Sequence, residues 1–121
     1  MGKMKGDKMA DNITINLHNS ALELADKAYI ARKNGDLEMA KFYALCAMSY
    51  EIMAAKRLLP NADNEPTRSV IYRSAATLAI WGGDYISALH YAREGKSSYT
   101  PADIRHELDE IEKSCKAQLQ K

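Results

Sequence analysis

Positions 34 to 44 read NGDLEMAKFYA and positions 82 to 92 read GGDYISALHYA, with Gly, Asp, Ala, Tyr and Ala at the same offsets. Laying Gly35 on Gly83, a displacement of 48, also brings Asp36 onto Asp84, Ala40 onto Ala88, Tyr43 onto Tyr91, Ala44 onto Ala92 and Ser49 onto Ser97. Upstream of the glycines, Ala28 falls on Ala76 and Ala31 on Ala79. A Gly-Asp pair suits the joint between two helices, because glycine tolerates the left-handed backbone past a helix end and aspartate caps the next helix. Two helix-turn-helix units of one design are the simplest fold that writes such a pattern twice.

The residues between these joints carry helical periodicity. Leu17, Ala21, Leu24, Ala28 and Ala31 recur at three and four residues and predict an amphipathic first helix. Its start is open between Asn12 and the capping-box form SALE at Ser20 to Glu23, and Arg32, Lys33 and Gly35 mark its end. A second helix is expected from about Leu37 to Leu59, with Ala40, Ala44 and Ala47 on one side and Met48, Ile52, Met53 and Leu59 widening the apolar surface. The turn-forming PNADNEP leads to Pro66 in the first turn of a third helix ending near Trp81, and a fourth runs from about Asp84 to Gly95. Thr100, Pro101 and Asp103 signal the start of a fifth, whose narrow stripe of Ile104, Leu108, Ile111 and Cys115 is surrounded by charge. The nearest strand-like run, NITIN, is too short and isolated to build a sheet. The expected fold is all-α, a right-handed stack of two antiparallel helix-turn-helix repeats closed by a C-terminal capping helix. Residues 1–11 read as a flexible tail and 12–121 as one helical domain.

Composition narrows the function. Lys and Arg number 17 against 16 Asp and Glu, a formal +1, so no strong field draws in nucleic acid or an anionic membrane. No apolar run approaches the roughly 18 residues of a membrane span, and two cysteines, Cys46 and Cys115, on apolar stripes fit a soluble protein of the reducing cytoplasm. His18, His90 and His106 stand apart from one another and from the cysteines, without metal-ligand spacing. No Gly-rich phosphate loop and no nucleophile-base pair is legible, so the expectation is a protein without enzymatic activity, metal or cofactor.

Small residues late in the first helix, Gly-Asp at the turn, and then Ala, an aromatic and Ala down the second helix resemble the tetratricopeptide repeat. The chain departs from that pattern at Leu24 and Tyr72, where the family prefers Trp, at Ala28 and Ala76, where it prefers Gly, and in a spacing of 48 against 34. The segment EPTRSVIYRSAATLA also resembles one found in small bacterial proteins of helical-repeat kind. The resemblance implies an adaptor that binds a peptide or protein segment on the concave face formed by the first helix of each unit. Tyr29, Arg32 and Lys33 from one unit and Arg73, Thr77 and Trp81 from the next would line it, cations and aromatics that suit an extended peptide or its terminal carboxylate. The alternative for the same residues is structural: Arg73 paired with a neighbouring glutamate, Trp81 covering the core beside the turn, Arg32 and Lys33 answering the helix dipole. Arg68 and Tyr72, four apart on one helix face, read as a packed surface pair rather than a ligand clamp. A second functional reading is a structural subunit of an obligate oligomer, a homo-oligomer among the options, or of a larger bacterial complex, because two repeats are fewer than the three or more an independent stack usually needs.

Overall fold

A computed structural model describes residues 11–121. The chain folds into α1 (Asn12–Lys33), α2 (Leu37–Ala55), a short 3-10 turn (Ala62–Asn64), α3 (Thr67–Trp81), α4 (Tyr85–Glu94) and α5 (Ala102–Leu119). Among the described residues there is no strand, and the fold is all-α. Each helix packs on the next in sequence, and α3 also packs on α5.

The two Gly-Asp joints have matching geometry. Gly35 and Gly83 take φ of 81° and 79°, the left-handed region where a side chain is strained. Asp36 N–H donates to Ala31 O at 2.9 Å and Asp84 N–H to Ala79 O at 2.8 Å, while Gly35 and Gly83 N–H donate to Arg32 O and Ile80 O. These are the paired bonds of a Schellman ending. Asp36 and Asp84 then turn their carboxylates onto the N–H groups of Met39 and Ser87, starting α2 and α4.

The structure fixes one helix end that the sequence left open and moves two others. α1 starts at Asn12 because Asp11, not Ser20, supplies the cap, accepting from Thr14 N–H at 2.8 Å. Asp11 therefore belongs to the helical domain, and the rest of the stretch read as a tail lies outside the described residues. α2 stops at Ala55 rather than Leu59. Arg57 N–H bonds back to Ala54 O and Leu58 N–H to Ala55 O, a tightening that turns Leu58 into the core beside Ile71 and Tyr72. The same turn brings Arg57 to Thr14 (3.1 Å) and Asp11 (2.5 Å), tying the end of α2 to the start of α1. At α5 the cap position belongs to Pro101, and Thr100 instead closes the preceding loop, donating to Gly95 O and accepting from Ser97 N–H.

α3 is the centre of the packing, contributing to each cluster of larger apolar side chains. Its Ile71, Tyr72 and Ala75 meet Ile52 and Leu58 after α2 has run back along it. Ala76 meets Ala92, Ile104 and Leu108, and Ala79 meets Ala88 and Cys115. α5 is further held by a charge cluster: Glu112 accepts from Lys96 at 2.6 Å and Arg93 at 3.0 Å, with Lys116 at 3.4 Å. Those cations, Lys96 first, hold the Glu112 carboxyl down to about 2. The seam between α1 and α2 is different in kind. Its buried apolar residues are alanines, Ala21, Ala28 and Ala31 on one side and Ala40, Ala44 and Ala47 on the other, which allow close approach but bury little area each.

Candidate functional site

The ends of α1 and α3 and the beginnings of α2 and α4 meet at the two Gly-Asp turns and leave a hollow between them. Arg32, Lys41, Ile80, Trp81, Gly83 and Tyr85 line it, with a volume of about 570 Å³. Leu37 and Ala40 border its adjoining recess. The Arg32 guanidinium lies 5.9 Å from the centre of the Trp81 ring, at the outer range of a cation–π contact. Lys56, Arg57, Arg73, Arg93, Lys96 and Lys116 each have a carboxylate partner. Among the described residues no ion pair engages Arg32 or Lys41, as none engages Lys27, Lys33, Lys113 or Lys121; what sets Arg32 and Lys41 apart is that they share one hollow with two aromatics.

Of the residues selected from sequence, Arg32 and Trp81 come together here. Tyr29 and Lys33 lie on the exposed side of α1, with the Lys33 ammonium 5.6 Å from the centre of the Tyr29 ring. Arg73, Thr77 and Trp81 follow at four-residue intervals along α3, but the Arg73 guanidinium is paired with Glu107 of α5. Its charge is answered within the fold, as the structural alternative for that residue holds. Thr77 turns its hydroxyl back onto Arg73 O at 3.0 Å.

Lys41 and Tyr85 were not among the sequence candidates. Tyr85 had a signal, since it follows the Asp84 cap as Leu37 follows Asp36 and so must border the turn. Two buried polar arrangements also leave little trace in the sequence. Glu51 is fully buried in α2, with one carboxylate oxygen 2.8 Å from His18 Nδ1 and the other without a hydrogen-bond partner. The bond to Glu51 pushes His18 above its ordinary value, against the opposing effect of burial. A lone acid inside the apolar stretch YEIMAA was its only trace. Arg68 is buried rather than on an exposed face, 4.7 Å over the Tyr72 ring, and it donates to Leu58 O and Glu94 O, both at 3.2 Å. It thereby joins the ends of α2 and α4 through α3. Burial, with the field of Glu94, pushes the Tyr72 hydroxyl up to about 12.

Comparison of the chain with known protein families, with curated proteins and with solved structures finds no match. Among the described residues no helix is long and apolar enough to cross a membrane.

Proposed function

We propose that the chain is a non-enzymatic scaffold of tetratricopeptide-like repeats that binds a carboxylate-bearing segment of another protein in the hollow between its Gly-Asp turns. The repeat reading is supported by the matching Schellman bonds at Gly35 and Gly83 and by burial of the same alanines, Ala28 with Ala76 and Ala44 with Ala92, at the displacement of 48. The observation that carries the binding reading is the pair of unanswered cations, Arg32 and Lys41, beside Trp81 and Tyr85. A carboxylate complements such a pair, and an apolar or aromatic neighbour in the same peptide would lie against the rings.

Trp81 is the single tryptophan of the chain, so its fluorescence reports occupancy of the hollow directly. Peptides selected from a random library with free C-termini are expected to shift that emission, and amidated or acid-free versions of the same sequences to lose the effect. Arg32→Ala and Lys41→Ala should each weaken binding by about 1.5–3 kcal/mol, the scale of a hydrogen bond to a charged group. Arg73→Ala, whose charge Glu107 already answers, should leave affinity within about twofold. Binding that survives loss of both Arg32 and Lys41, or a library that yields no carboxylate-dependent ligand, would reject the reading.

A further inference from the structure

α1 carries a face that the other described helices leave uncovered. Ile15, Leu22 and Tyr29 recur every seven residues, which at ~100° per residue sets them within about 20° of one line. They are 40, 47 and 54% exposed, whereas α1 meets α2 through another side that carries Thr14, Ala21, Ala28 and Ala31. Half-buried His18 and exposed Asp26 and Lys33 share the line, and Asp11, the cap of α1, stands at its start with its carboxylate also engaged by Arg57.

The line is self-complementary about Leu22. Reversal about that residue exchanges Ile15 with Tyr29, apolar for apolar, His18 with Asp26, donor for acceptor, and Asp11 with Lys33, anion for cation. We propose that this face of α1 is the seam of a twofold homodimer, two copies packing α1 antiparallel with Leu22 on the axis. An isologous contact demands that each residue suit its own mirror position, a condition no other kind of partner would impose on this helix. The parallel arrangement is disfavoured by the same residues, since it would set Asp26 against Asp26 and Lys33 against Lys33. His18 gives Nδ1 to Glu51 and so keeps Nε2 for Asp26 of the other copy. A net charge of +1 leaves little general repulsion between copies. Arg32 lies about 80° round the helix from Leu22, so the seam and the hollow use different sides of α1 and the dimer does not rest on the peptide reading.

The experiment reads mass and symmetry on the full chain. Sedimentation across a dilution series is expected to give twice the 13.5 kDa of one chain, passing to monomer on dilution. Leu22→Asp, which puts two like charges on the axis, should weaken association by on the order of 100-fold or more while the helical circular dichroism is kept. In a Cys46→Ser background, with Cys115 fully buried, Leu22→Cys should oxidise to a disulfide-linked dimer. Ile15→Cys alone should not, because its copies stand 14 residues apart along the paired helices, ~21 Å, but mixed with Tyr29→Cys chains it should cross-link. A monomer at every concentration, an unweakened Leu22→Asp dimer, or cross-linking of Ile15→Cys to itself as readily as Leu22→Cys would each overturn the proposal.

Discussion

His18 and Glu51 form the one contact between α1 and α2 that joins an imidazole to a fully buried carboxylate. A buried acid with one oxygen unpartnered is costly unless its other oxygen is well served, so the pair couples stability to proton concentration. The sign follows from the direction of the His18 shift. The folded pKa lies above the unfolded value of about 6.5, so the stabilisation is fully present below that pH and is lost as pH rises through the folded pKa. The thermal midpoint is therefore expected to fall as pH rises above about 6.5, and His18→Gln should flatten that fall. Measuring both on the Leu22→Asp background removes any contribution of association, and an equal slope with and without His18 would assign the dependence to another group.

The helices of the two hairpins begin alike but close differently. Ala88 is fully buried where α4 meets α3 and α5, whereas Ala40, its counterpart at the displacement of 48, retains 8% exposure and borders the recess beside Trp81. Leucine at Ala88 has no free volume to enter and should cost about 1–3 kcal/mol of unfolding free energy. Leucine at Ala40 can extend into the recess and should cost about 0.5 kcal/mol or less. Urea denaturation of the two variants tests the difference, and equal costs would mean that the hairpins pack with the same tightness. α2 itself is apolar on more than one side, with Phe42 and Met53 exposed while Ala44 and Ile52 are buried. Such a helix usually has neighbours on several faces, and among the described residues α1 and α3 cover only part of this one.

Across the molecule, the larger apolar side chains gather around α3, while α1 is attached through alanines, Leu17 against the cluster of Ile52 and Leu58, and a few polar bonds. α5 covers the outer face of α3 and α4 with Ile104, Leu108 and Cys115, and its charges clasp Arg93 and Lys96. Deleting the chain from Thr100 onward would return Ala76, Ala92 and their neighbours to water and is expected to produce aggregation or loss of the cooperative melt. Light scattering and calorimetry of the shortened chain check this. A soluble chain of unchanged midpoint would show that the fold does not depend on α5.

Local signals sufficed for the helices and the joints between them. Gly35 with Asp36 and Gly83 with Asp84 satisfy their own turn's hydrogen bonds, and a three- to four-residue apolar rhythm depends on neighbours along the chain alone. Part of the candidate site was legible in the same way, since Arg32 and Trp81 close helices that end at equivalent turns. The other selections depended on what lies across a helix interface, which periodicity does not record. Arg73 finds Glu107 34 positions away, and His18 finds Glu51 33 positions away. Only the packing of whole helices decides which charges are answered, because a side chain's partner is set by the separation and rotation of two helices. For the same reason Lys41, an unremarkable cation in sequence, stands beside Arg32 without an anion, and α2 ends where Leu58 must turn inward to the core.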